Sequence, residues 1–66
     1  MPIIFVEMWE GRTIEQKKKL VKGITDAVIV AVDVPPDHVR VLIRDYAKHN
    51  WAKAGKLASE PDFVPG

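Results

Sequence analysis

Residues 3–9, IIFVEMW, are β-branched, aromatic or otherwise apolar apart from Glu7, and the turn residue Gly11 follows shortly after. That composition predicts a strand. What constrains the fold most is that the strand is apolar on both faces: Ile4, Val6 and Met8 point one way, Ile3, Phe5 and Trp9 the other. A chain of 66 residues has little else with which to cover them. Chains this short lean on disulfides, a metal or oligomerisation. There is no cysteine, and the two histidines, His38 and His49, are too far apart for a local zinc motif. No metal site is expected. Burial of the second face against other copies of the same chain is what remains.

The rest of the chain is punctuated clearly. Thr13 and Gln16 have the spacing of a capping box, so a helix is expected to begin after Thr13. Leu20, Ile24, Ala27, Val28 and Ala31 recur at helical spacing as its apolar side, and Lys17, Lys18, Lys19, Lys22 and Asp26 read as its solvated side. Pro35 biases Val34 away from helical angles, and the pair Pro35-Pro36 cannot continue the ladder. In HVRVLIRDY a second strand alternates Val39, Val41 and Ile43 with Arg40, Leu42 and Arg44. Gly55 marks a turn able to close a short hairpin within AKHNWAKAGKLASE, and residues 60–66, with two prolines, are expected to run over a surface.

Strand, helix and strand in this order make a β-α-β unit with parallel strands and a right-handed crossover. The expected class is α/β: a single domain over residues 1–66, with a short hairpin near its end, whose protomers assemble into larger sheets. Ten Lys/Arg against nine Asp/Glu leave a formal charge of +1, which predicts no general affinity for nucleic acid or membrane. No apolar run reaches membrane-spanning length and no signal-peptide pattern is present, so a cytoplasmic protein is expected.

Pro2 is the candidate for chemistry. Methionine is commonly trimmed ahead of a small residue, which would leave Pro2 with a free secondary amine. An α-amino group has a reference pKa of about 7.7–8.0, and burial or nearby positive charge lowers it. Such a group is basic and neutral near physiological pH, as a general base should be. Arg12 in the turn after the first strand, Arg40 at the start of the second and Trp51 after it are the neighbours that give Pro2 a context.

From Pro2 to about Ser59 the chain resembles the 4-oxalocrotonate tautomerase family. The resemblance rests on proline after methionine, EGRT and EQKK at the strand-to-helix turn, VRV opening the second strand, and the closing AGKLAS. It implies an isomerase that works without a cofactor, in which the amino-terminal proline moves a proton between oxygen and carbon of an enol or dienol acid such as 2-hydroxymuconate, an intermediate of aromatic catabolism. It also implies a homohexamer. Strand 3–9, at about 3.3 Å per residue, separates Pro2 from Arg12 by more than roughly 20 Å. Arg12 therefore cannot serve the proline of its own chain. Parallel strands return Arg40 to the Pro2 end; the resemblance assigns this arginine to an adjacent subunit.

On that reading Pro2 and Arg40 are catalytic, and Arg12, Trp51 and Trp9 bind substrate. Arginine grips carboxylate through two parallel hydrogen bonds, so two arginines favour a small unsaturated dicarboxylate. Arg40 would hold the carboxylate and 2-oxygen nearest the reacting centre, and Arg12 the distal carboxylate. Trp51 reads either as packing or as an apolar pocket wall. Trp9 replaces a smaller aliphatic residue of the family at the strand end, so the pocket is expected to be reshaped. The tail EPDFVPG is loosely similar to a segment of trans-3-chloroacrylic acid dehalogenase, which raises hydration of a haloacrylate as an alternative. Hydration needs a carboxylate to activate water, and Lys53 stands where that relative has a glutamate, while Trp9 stands where it has an arginine. A non-catalytic oligomeric module is the rival from another class.

Overall fold

The computed structural model describes residues 1–66. In chain order it contains β1 (Ile3–Trp9), α1 (Ile14–Val32), a 3-10 turn (Pro36–His38), β2 (Arg40–Tyr46), a second 3-10 turn (Lys48–Asn50), β3 (Ala52–Lys53) and β4 (Lys56–Leu57). β1 and β2 pair in parallel with α1 as the crossover, as the order of elements predicts. The register sets Ile3 opposite Arg40, Phe5 opposite Leu42, Glu7 opposite Arg44 and Trp9 opposite Tyr46. The ladder runs past both ends of the strands: Arg40 N–H donates to the Pro2 carbonyl at 3.0 Å and Glu10 N–H to the Tyr46 carbonyl at 2.8 Å.

α1 starts where its cap places it. Gln16 N–H donates to Thr13 Oγ1 at 3.1 Å while Thr13 N–H donates to Gln16 Oε1 at 2.9 Å, so two otherwise orphaned donors are satisfied reciprocally. The helix stops earlier than the prolines require. Asp33 adopts a left-handed conformation (φ 54°) and its N–H closes on the Ile29 carbonyl at 3.0 Å, two residues before Pro35. Aspartate is among the few residues that enter this region readily.

One face of the sheet lies under the helix. Ile4, Val6 and Met8 of β1, with Val41 and Ile43 of β2, are half-buried beneath Leu20, Val21, Ile24, Val28 and Ile29 of α1. The helical stripe is thus rotated from the one expected. Ala27 and Ala31 are exposed, and Lys17 is half-buried, because the 3.6-residue period that meets the sheet begins at Lys17 and continues through Leu20, Val21 and Ile24. A Lys17–Asp45 ion pair ties the start of the helix to β2. Lys17 therefore does not belong to the solvated side. At the other end of the chain, β3 and β4 form an antiparallel hairpin closed by Ala54 and Gly55, both at positive φ (53° and 78°). That is the sense of turn whose twist suits a two-residue hairpin.

The opposite sheet face is open. Phe5 is 65% exposed, Ile3 52% and Leu42 47%, and none of the 66 residues is buried. The radius of gyration, 15.1 Å, exceeds the roughly 11 Å of a compact chain this long. The protomer is a slab of 44 × 24 × 15 Å with a half-core on one side and apolar surface on the other. No helix is long and apolar enough to cross a membrane. Because the reciprocal cap is the only fastening at the helix start seen in both sequence and structure, Thr13→Ala should lower stability by about 1 kcal/mol. Urea unfolding of both proteins at one protein concentration measures this.

Candidate active site

Parallel pairing sorts the candidate residues into two groups. Pro2 and the start of β2 lie at one end of the sheet, where the Arg40 N–H to Pro2 carbonyl bond joins them. Trp9 closes β1, Arg12 and Trp51 follow the ends of β1 and β2, and all three lie at the other. Seven residues of strand separate the groups, about 20 Å. One protomer brings Pro2 and Arg40 together, and Trp9 and Trp51 together, but never Pro2 with Arg12.

The ion pairs separate the three arginines. Arg44 meets Glu7 at 3.3 Å, and the neighbouring Tyr46 first, then the Glu7 carboxylate, raise its pKa above the usual arginine value. Tyr46 also donates its hydroxyl hydrogen to Glu7 at 2.7 Å. Arg12 and Arg40 take part in none of the five ion pairs of the chain. Arg40 donates instead to the carbonyl of Asp37 in the turn ahead of β2, which steers its guanidinium without neutralising it. Its position opposite Ile3 puts its side chain on the open face of the sheet. Arg12 opens onto a cavity of about 240 Å³ lined also by Met8, Gln16, Lys17 and Leu20. Lys17 adds a second cation to that cavity, a residue that sequence reasoning assigns to the solvated side of the helix.

Trp9 and Trp51 belong to an aromatic cluster at the far end of β1. Their ring centroids are 6.0 Å apart, edge to face, and Trp51 meets Tyr46 in the same manner at 5.6 Å. Phe63 tilts against Trp9 at 6.1 Å, and the Lys48 ammonium stands 5.0 Å from the centre of the Trp9 ring. Such aromatic pairs are worth about 0.5–1.5 kcal/mol each beyond the area they bury. Trp9 Nε1 is shielded from solvent and has no acceptor, which costs about 1–3 kcal/mol. Ring packing holds the indole where its own N–H would not. His38 and His49 are exposed, and no three His, Cys, Asp or Glu side chains gather as a metal site would require.

A small parallel β-α-β chain with a short hairpin, two free arginines and a proline heading the first strand defines a class of protein, and the comparisons identify it. The family model described as Tautomerase enzyme matches residues 2–60, so the chain belongs to the tautomerase family and is an isomerase-type enzyme. A 2-hydroxymuconate tautomerase of Comamonas testosteroni is 45% identical over 60 residues, 91% of this chain and 95% of that protein. A 4-oxalocrotonate tautomerase isozyme structure from Methylibium petroleiphilum superposes with a TM-score of 0.85 at 45% identity, covering 88% of this chain and 91% of that one. A heterohexameric 4-oxalocrotonate tautomerase from Chloroflexus aurantiacus superposes with a TM-score of 0.86 at 33% identity, covering 92% and 98%.

The unpaired indole N–H gives a test of what holds the cluster. Trp9→Phe keeps a ring and deletes the orphaned donor, so stability should be unchanged or higher. Trp9→Ala should cost about 2 kcal/mol, roughly half the value for a fully buried tryptophan. Urea midpoints at fixed protein concentration discriminate the two.

Proposed function

We propose that the chain is a cofactor-independent keto–enol tautomerase acting on a 2-hydroxy-dienoate such as 2-hydroxymuconate, with Pro2 as general base and then general acid. The observation that carries this reading is 45% identity, across nearly the whole chain, to a protein named for that reaction. Met1 is 75% exposed, open to an aminopeptidase, and its removal would free the Pro2 nitrogen. The amine takes the proton from the 2-hydroxyl oxygen; the electron pair moves through the conjugated chain, and the ammonium returns the proton to carbon. The product is the 2-oxo acid. No proton is gained or lost overall.

Arg40 would bind the carboxylate and 2-oxygen beside Pro2 and stabilise charge developing on that oxygen. Its side chain leaves the sheet on the open face, against which a neighbouring copy would pack, so it is disposed to serve a neighbour's proline. Arg12, at the opposite end from its own Pro2, would reach the proline of a different copy and bind the distal carboxylate. Trp9 and Trp51 would wall the pocket with apolar surface, which disfavours the protonated amine. The assembly that this requires is a homo-oligomer, read as a hexamer from the family resemblance. It would also cover Ile3, Phe5 and Leu42.

The hydratase alternative gains nothing from the position that should supply its water-activating carboxylate. Lys53 stands there, and its ammonium donates to the carbonyls of Val64 and Gly66. Replacing each free arginine separates their roles. Arg40→Ala should lower kcat/KM by on the order of 10² through both kcat and KM. Arg12→Ala should raise KM for 2-hydroxymuconate about tenfold while leaving phenylenolpyruvate, a monocarboxylate, nearly unaffected. Ultraviolet-monitored ketonisation measures both. Equal effects of Arg12→Ala on the two acids, or unchanged kinetics in Arg40→Ala, would remove the residue concerned from the site.

A further inference from the structure

Residues 61–66 lie beyond the stretch matched by the family model, 2–60, yet they are fastened to the rest of the chain at several points. The Lys53 ammonium donates to the Val64 carbonyl at 3.2 Å and to the Gly66 carbonyl. Lys56 pairs with Asp62 at 2.9 Å. Phe63 N–H donates to the Glu60 carbonyl at 3.2 Å, in a turn that Glu60 itself stabilises by accepting from Leu57 N–H at 2.6 Å. The side chain this arrangement delivers is Phe63, half-buried against Trp9, whereas its neighbour Val64 is 70% exposed.

We propose that segment 61–66 is a strap that positions Trp9 through Phe63 and so sets which acids the site accepts. The inference rests on the reading of Trp9 as a pocket wall. An indole has two side-chain torsions to fix. Trp51 meets it on one side and the Lys48 ammonium stands near its ring, but both belong to the stretch following β2. Phe63 is the contact that comes from outside the tautomerase match. Phe63 is a positioning residue here: it acts on the substrate only through the indole. A braced Trp9 keeps the pocket small; a loosened one admits a bulkier acid and holds a compact one less well.

The test compares 2-hydroxymuconate with the bulkier phenylenolpyruvate and records tryptophan emission in the same proteins. Phe63→Ala should shift emission to the red as Trp9 becomes wetter. It should also move the ratio of kcat/KM values by about three- to tenfold toward phenylenolpyruvate, mainly through a higher KM for 2-hydroxymuconate. Phe63→Tyr, which keeps the ring, should restore both, and Val64→Ala should alter neither. Should Phe63→Ala fold poorly, Lys53→Met releases the strap's carbonyls and should move the ratio in the same direction. A ratio within twofold of the parent in a folded Phe63→Ala or Lys53→Met protein, or equal loss with both acids, overturns the proposal. A parent protein that ketonises neither acid instead overturns the tautomerase reading, and in that case an unshifted emission spectrum in Phe63→Ala overturns the strap as well.

Discussion

The parallel pairing of β1 with β2 is the constraint from which the rest follows. A parallel pair needs a crossover, and α1 is the only element long enough to make it. The helix then covers one face and leaves Ile3, Phe5 and Leu42 on the other. The same pairing sets Arg40 against Pro2 and carries Arg12, Trp9 and Trp51 to the far end. Had the strands been antiparallel, the end of β2 and Trp51 would have returned to Pro2, and a single protomer could have walled its own proline.

Two kinds of incompleteness therefore coincide in one protomer. Its apolar face lacks a cover, and its candidate chemistry is split between two ends about 20 Å apart. Association would remedy both together. Burying apolar surface yields roughly 25 cal/mol per Å², and the exposed side chains of β1 and β2 are the largest apolar area the sheet offers. Aligned ends would place an arginine and a tryptophan wall from one copy beside the proline of another. Stability and activity would then share an origin: a protomer with no buried residue has little reason to persist alone, and on the proposed reading its site would be incomplete if it did.

Much of this is legible in the residues because local signals agree with the fold. The β-branched and aromatic composition of IIFVEMW, the Thr13–Gln16 box and Gly55 each specify a local structure that the tertiary arrangement keeps. The helical stripe was less legible: alanines at 27 and 31 fit the period, and only contact with the sheet shows that Val21 and Ile29 face it instead. Lys17 was hidden for the same reason, a charged residue on the stripe whose partner Asp45 is distant in sequence. Asp33 in the left-handed region gave no signal, since aspartate is equally common in other turns. Among the candidate site residues, Pro2, Arg12 and Arg40 are visible as chemistry in the sequence. Phe63 was not, because its partner Trp9 lies at the other end of the chain and no spacing links them.

The claim at the centre is that Pro2 and Arg12 of one site come from different copies of the chain. Two defective preparations test it: Arg12→Ala protein, and parent protein alkylated at the Pro2 nitrogen. They are unfolded together, refolded and assayed with 2-hydroxymuconate, with mixed oligomers verified by native mass. The account predicts activity above the sum of the two preparations refolded apart, because an intact proline from one meets an intact arginine from the other. Activity equal to that sum in verified mixed oligomers would contradict it.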